Sequence, residues 1–343
     1  MKSLAVFSRG LSLRNKGYNI QSGSPVASPG PFRVMVGKEI ADHIRSWRFI
    51  VLLSLVGLTF FGAMYVSLSN IKSAVANIQD PDRLFLYLKL LTTTDGTLPP
   101  FHVLLSFLGP LLGIGLGFDT INSEKNAGTL TRLMAQPVYR DNLILSKFVS
   151  AIIIVSCLFV SLAMLMIGAG LLITGVGIEP EEVLRIFSFI FLSIVYVGFW
   201  LSLSILLSIR FRQTATSALA AIGIWLFLTV FYKLLVNLVI KAMIPDPALL
   251  SQEQVFAYNG LIGSILRLEP SQLYTDATTT LLMPSVRSLG PLTMEQMALA
   301  IPSPLPYKES LMIVWPQVSG LLAATVFCFA FSYYLFMRRE IRC

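Results

Sequence analysis

The sequence predicts an all-α polytopic membrane protein. It has six transmembrane helices, an N-terminal interfacial amphipathic helix and an outer insertion between helices 5 and 6. Three observations predict this. Hydrophobic residues make up 55% of the 343 and charged residues only 13%, where a soluble domain carries about 25% charged residues. Mean hydropathy is +0.74, so most of the chain is dissolved in lipid. Six apolar runs approach or exceed the roughly 20 residues needed to cross about 30 Å of hydrocarbon. Lys and Arg are distributed unevenly between the segments that connect those runs.

The elements follow in chain order. Residues 1–31 are rich in Ser, Gly, Asn and Pro and read as a mobile cytoplasmic tail. Residues 32–343 form one six-helix transmembrane domain. In Phe32–Arg48, Val36, Ile40, Ile44 and Trp47 recur at steps of four, four and three, with Lys38, Asp42 and Arg45 on the other side. That is the pattern of a helix lying in the membrane interface. The first span, Phe49–Ser69, lies too far along for a secretory signal and is expected to be retained. A polar outer loop, Asn70–Phe101, ends in Pro99-Pro100. The second span, His102–Phe118, carries Gly109, Gly113 and Gly117, four residues apart, which form one smooth face for close helix packing. A phosphate-cradling glycine loop is disfavoured, because GxGxxG is not met and no strand precedes it. The GxGD of an intramembrane aspartyl protease also fails, since Phe118 separates Gly117 from Asp119. Ser146–Thr174 and Val183–Ile209 are the third and fourth spans, joined by a tight outer turn. Arg210–Gln213 makes a basic inner turn into the fifth span, Thr214–Ile240. The insertion 241–312 is punctuated by prolines, with short helices expected near Ser251–Leu268 and Ser271–Met283. Ile313–Met337 is the last span, anchored by Tyr333, Tyr334 and the Arg338-Arg339 pair.

Segments 1–48, 119–147, 209–213 and 338–343 hold 17 of the 26 Lys and Arg but only 6 of the 18 Asp and Glu. The positive-inside rule then puts both termini in the cytoplasm of a multi-pass cell (inner) membrane protein. The basic balance is thus a signature of orientation and calls for no nucleic-acid partner. Cys157, Cys328 and Cys343 show no disulfide framework or metal spacing. His43 and His102 are too few and too far apart for a metal cluster.

The polar stretch Phe118–Lys147 is the most informative part of the chain. It lies between two apolar spans, is charged and patterned, and is too short for a domain. Glu124 to Gly128 turns the chain, and Thr129, Leu130, Leu133 and Met134 supply an apolar edge at helical spacing. Pro137 ends that helix, and Asp141 is placed to cap the helix that carries Lys147 into the third span. The expected product is helix, break, helix at the membrane surface, a docking point for something soluble.

On these residues a resemblance becomes specific. The run Glu124-Lys125-Asn126-Ala127-Gly128-Thr129-Leu130, followed by Leu133, Pro137, Arg140, Leu145 and Lys147-Phe148, resembles the signature of type-2 ABC exporter permeases. The close match covers about 30 residues, and six spans with an interfacial helix extend it loosely along the chain. The resemblance implies that this loop is a coupling helix inserted into a separate ABC ATPase subunit, with Glu124, Gly128, Thr129, Arg132, Pro137 and Arg140 at the contact. It also implies a second permease subunit, identical or related. No Walker A motif occurs, since Gly37-Lys38 is followed by Glu39. The chain is therefore expected to bind no cofactor and to be no enzyme itself, with ATP and Mg held by the partner.

Features for a translocation path are thin. Lys233, Asn237 and Lys241 form one polar stripe on span five. Snorkelling to headgroups accounts for it, and a stripe facing a path is the alternative. Trp200 and Trp225 lie well inside their spans, where packing competes with a path-lining role. The readings that follow are an ATP-driven export permease, a component of an envelope or cofactor assembly complex, and, with little chemistry to support it, a membrane-embedded enzyme.

Overall fold

The computed structural model describes residues 30–75, 85–93, 99–134, 139–243, 252–284 and 305–338. Nearly all of the expected tail lies outside the described residues, as do Pro137, Ser251, Arg339 and Cys343. The described elements are helical, in the order α1 (Pro31–Arg45), α2 (Trp47–Val75), α3 (Leu86–Thr92), α4 (Phe101–Gly117), α5 (Asn122–Asn126), α6 (Thr129–Met134), α7 (Arg140–Thr174) and α8 (Pro180–Arg210). Then come α9 (Thr214–Leu226), a π-helical turn (Phe227–Tyr232), α10 (Lys233–Met243), α11 (Gln252–Leu266), α12 (Pro270–Leu282) and α13 (Tyr307–Arg338). Six helical stretches are long and apolar enough to cross a membrane, carried by α2, α4, α7, α8, α9–α10 and α13. These are the six runs read from the sequence.

Local chemistry sets the boundaries. Pro180 occupies the first turn of α8, and Glu179 and Glu182 form a reciprocal capping box. Helix α7 stops at Gly175, whose φ of 68° is costly for any residue with a Cβ. Ser46 alone separates α1 from α2. Its hydroxyl donates to the His43 carbonyl at 2.8 Å and accepts the Phe49 N–H at 3.3 Å, closing one helix and opening the next.

Helix α8 is the central post, with α4, α7, α9, α12 and α13 packed on it. The α4–α8 seam is close-packed. A Cβ on Gly109 would meet the Tyr196 ring at 2.9 Å, one on Gly113 the Val197 carbonyl oxygen at 2.6 Å, and one on Gly117 the Ser204 Cβ at 2.8 Å. Lipid gives helices no hydrophobic drive to associate, so close backbone approach and polar contacts hold them together. Such contacts recur along α8: Ser204 donates to Ile114, Thr325 to Val195 and Ser332 to Ser202, each to a carbonyl.

The two ends of the bundle are named here by position: proximal carries α1, α5 and α6, and distal carries α3 and α11–α12. The distal end departs from the sequence reading twice. The loop Asn70–Phe101, read as polar, contains α3, whose Tyr87, Leu88, Leu90 and Leu91 are buried. Tyr87 donates its hydroxyl to Val176 and its N–H to Glu182. The insertion 241–312, read as an outer, extramembrane part of the domain, sends a hairpin back into the bundle. Tyr232 donates to the Ile265 carbonyl, and Lys233 lies 3.5 Å from Glu269 at the hairpin tip. Helix α12 then packs on α4, α8 and α13. Its Tyr274 stacks on Tyr196, near the middle of α8, and Ser271 accepts the Tyr196 hydroxyl. The sequence hid this because Thr and Ser on α12 read as solvent-facing, whereas Thr278 and Thr280 return their hydroxyls to their own helix and are buried. Helix α12 also starts at Pro270, with Glu269 rather than a serine before it. The last span begins at Tyr307, six residues before the apolar run.

Arg185 fastens the distal end. It is fully buried and donates to Glu181, to the carbonyls of Leu281 and Leu305 and to the Ser310 hydroxyl. The rings of Phe85 and Tyr307 lie over its guanidinium.

Candidate functional site

The proximal end is built on α7. Helix α1 lies across it, with Val36 buried and Met35 and Ile40 packed on the core. Ile44 and Trp47, from the predicted apolar face, stay exposed, and Glu39 is buried in their place. Glu39 follows Val36 by three residues, so it shares the face turned toward α7. There Lys147, 4% exposed at its side chain, donates to Glu39 at 3.0 Å and to Glu124 at 2.8 Å. One ammonium thus ties α1, α5 and α7 together. Lys38 adds pairs to Glu39 and Asp42. Burial alone would raise the Glu39 carboxyl, but Lys147 and Lys38 outweigh it and hold it below the usual carboxylate range. Burial pushes His43 below its ordinary value.

The polar island folds as an elbow: α5, a turn at Gly128 with φ +68°, then α6. Gly128 is needed there, because a left-handed residue with a Cβ costs about 1–2 kcal/mol. The elbow is pinned at its base. The Ser208 hydroxyl accepts the N–H of Ile121 and Asn122, and the buried Asn122 amide hydrogen-bonds it at 2.8 Å. Asn126 donates to the carbonyl of Arg212, in the turn between α8 and α9. Leu130 is buried beneath α6. Between the elbow, α1 and the proximal end of α4 lies a cavity of about 560 Å³, lined by Lys38, Asp42, His43, Asp119, Glu124 and Arg132 among others.

The structure separates the residues singled out in the sequence. Gly128, Thr129, Arg132 and Arg140 are exposed on one end of the molecule. Thr129 also donates to the Glu124 carbonyl, closing the elbow. Glu124 itself faces inward, 14% exposed and bonded to Lys147, so it braces the elbow from behind. Asp141 sits in the first turn of α7, and Tyr139 is the residue before it, so the expected cap becomes a favourable charge near the helix N-terminus. Trp200 and Trp225 are enclosed by protein, 0% and 5% exposed, with Trp225 edge-on to Phe107. They fill the bundle. Lys233 pairs with the buried Glu269, so headgroups are not its sole partner, and Asn237 is exposed.

Sequence reasoning missed Glu39 and Asn122. Glu39 left a faint signal, a carboxylate among apolar residues of one helical face, which requires a cation opposite. Asn122 left none, since its partner Ser208 is 86 residues away.

Comparison with known proteins agrees with this architecture. The chain is 25% identical over 293 residues to the "Probable ABC transporter permease protein NosY" of Stutzerimonas stutzeri, covering 84% of this chain and 95% of that one. It is 27% identical over 248 residues to the protein of the same name from Pseudomonas aeruginosa, covering 69% and 77%. The model of the ABC-2 family transporter protein matches residues 33–341. The chain therefore belongs to the ABC-2 transporter family, as a multi-pass membrane permease subunit of an ABC transporter.

Proposed function

We propose that this chain is the membrane half of an ATP-driven exporter, with both termini and the proximal end in the cytoplasm of the cell membrane. A separate ATPase subunit, holding ATP and Mg, docks on the elbow. A second permease subunit, identical or related, completes the path. The observation that carries this reading is the elbow itself: an exposed turn from Lys125 to Thr129 whose base is bonded to two different places in the bundle. A push on that turn reaches α8 and α9 through Asn122 and Asn126, and reaches α7 and α1 through Glu124 and Lys147. Packed helices move as rigid elements, so a small displacement at the elbow becomes a tilt of the bundle. The chain contributes positioning, and the chemistry belongs to the partner. Lys233 and Asn237, which stay accessible on α10, are the residues assigned to the path.

The test is association. Among the described residues nothing lies within 4 Å of a Cβ built on Gly128, so the strain of Gly128→Trp at its left-handed φ falls on the elbow turn and its docking face and not on the packed bundle. Stimulated ATP hydrolysis by the co-purified ATPase subunit is expected to fall at least about tenfold, a loss of about 1.4 kcal/mol of coupling. Unchanged association and unchanged hydrolysis would overturn the assignment. Cysteine labelling at Ser123 from the cytoplasmic side alone, and at Ser285 from the outer side alone, checks the orientation.

A further inference from the structure

Helix α1 turns outward a face that its hydrophobic pattern does not predict. Val36 and Glu39 are buried and Ile40 packs on the core, so the predicted apolar side is spent largely on α7. The outward side carries a second apolar strip, Val34, Gly37, Ala41 and Ile44, at steps of three, four and three. Val34, Gly37 and Ile44 are exposed and Ala41 is half-exposed. At roughly 100° per residue, Arg33 and Arg45 fall about 20° beyond the two edges of this strip. Both are exposed. The carboxylates nearby are already answered: Asp42 by Lys38, Glu39 by Lys38 and Lys147, Asp119 by Arg48. The guanidinium groups of Arg33 and Arg45 have no ion pair or hydrogen bond among the described residues. The chain ahead of α1 cannot supply one, since residues 1–30 include Lys2, Arg9, Arg14 and Lys16 and no Asp or Glu.

The depth of the strip follows from its neighbour. Ser46 alone separates α1 from the first span, and Trp47, 76% exposed, opens that span. Tryptophan at the end of a span sits at headgroup level. Ile44, three residues before Trp47, carries the apolar surface of the span onto α1. A strip that is apolar along its middle and cationic at both edges matches a bilayer surface. Val34 and Ile44 sink among acyl carbons while the arginines reach out to phosphate oxygens.

We propose that this face of α1 is a binding surface for acidic phospholipid headgroups, in the leaflet at the proximal end. The two arginines lie about 18 Å apart along the axis, at 1.5 Å per residue, so each meets a different lipid. Each guanidinium offers a phosphate two parallel donors. A zwitterionic headgroup brings its own ammonium with its phosphate, whereas an acidic one brings net negative charge. Two unanswered cations therefore favour the acidic lipid. The strip and the elbow are different surfaces, and lipid binding here needs no ATPase subunit.

The test uses the full chain with Cys157→Ser, Cys328→Ser and Cys343→Ser, and a fluorescent label on Ala41→Cys. It is reconstituted in phosphatidylcholine liposomes that contain a small fraction of spin-labelled lipid, whose nitroxide quenches the label only at short range. Spin-labelled phosphatidylglycerol is expected to quench more strongly than spin-labelled phosphatidylcholine at the same mole fraction. Each arginine is expected to contribute on the order of fivefold to that local enrichment. Arg33→Gln with Arg45→Gln is expected to make the two lipids equal, Arg33→Lys with Arg45→Lys to keep most of the preference, and high salt to shrink it. Equal quenching by the two lipids with both arginines in place would overturn the acidic preference. A preference that survives both Gln substitutions would assign it to other cations and overturn the role of this face. Quenching by neither lipid would put the strip outside the membrane and overturn the surface itself.

Discussion

The two ends of the molecule each bury a cation, and they treat it differently. Arg185, at the distal end, is answered by two backbone carbonyls, a hydroxyl and a glutamate on its own helix. Two of those acceptors are backbone carbonyls, which cannot swing away as a side chain can. Lys147, at the proximal end, is answered among the described residues by carboxylates on two other helices, beside a cavity. Side chains can change partners and a cavity leaves space to do so. The distal end is therefore a rivet and the proximal end a joint. Burial of a charge alone does not distinguish a structural device from a working one; the nature of its partners does.

The largest expected effect tests that contrast directly. Arg185→Met leaves Glu181 and two carbonyls without their donor, and breaking a buried charge network costs about 3–5 kcal/mol. A marked drop in Tm of the detergent-solubilised protein is expected, with the proximal contacts unchanged. Lys147→Met is expected to lower Tm less, since water can enter beside Glu39 and Glu124, but to abolish stimulation of the ATPase. Equal losses of Tm would erase the distinction between rivet and joint.

Between the ends runs the α4–α8 seam, which must be stiff if a push at one end is to be felt at the other. Gly113→Ala would place a Cβ 2.6 Å from the Val197 carbonyl oxygen and 2.8 Å from the Leu201 nitrogen. Overpacking of this kind costs about 1–3 kcal/mol, read as a lower Tm and weaker coupling. A neutral result would show that the seam has slack.

Acid is expected to act in opposite senses at the two ends. Glu39, held below its ordinary 4.5 by Lys147 and Lys38 against its own burial, contributes stability that is complete above 4.5 and lost as pH falls through its folded value. His43, pushed down from 6.5 by burial, adds a loss of the same sign below 6.5. Glu269 at the hairpin tip is raised above 4.5 by burial, against the pull of Lys233. Its contribution is full below 4.5 and declines as pH rises through its folded value. Hydrogen exchange corrected for intrinsic rates is expected to show α1 and α5 loosening as pH drops from neutral while α12 tightens. Both loosening together would contradict the assignment of charges. The smallest effect is Gly128→Ala, about 1 kcal/mol from the left-handed φ alone, confined to the elbow and seen as faster local exchange.

How much of this was legible depends on the length scale of the signal. The six spans stood out because each is a run of apolar residues, and the elbow because Gly128 and Pro137 interrupt a charged stretch in a recognisable order. The glycine stripe pointed to close packing, but no pattern in α4 named α8 as its partner. Helices α3 and α12 were not legible as buried, since seven and thirteen residues of mixed character match no membrane length. The inward turn of Glu124 was hidden for a related reason: a carboxylate in a polar loop looks solvent-facing until Lys147, 23 residues on, is seen to lie behind it. Long-range pairing of single polar residues is what a linear reading loses.

Ser46 has one more implication. It is a single extended residue, φ −75° and ψ 128°, between two helices. Its two soft torsions are the freedom α1 has relative to the first span, and the side chain's bonds to both helices narrow that freedom. Any movement of α1 relative to α2 would therefore trace an arc about this one residue. One pair of spin labels, on α1 and α2, would follow its whole excursion as a single distance.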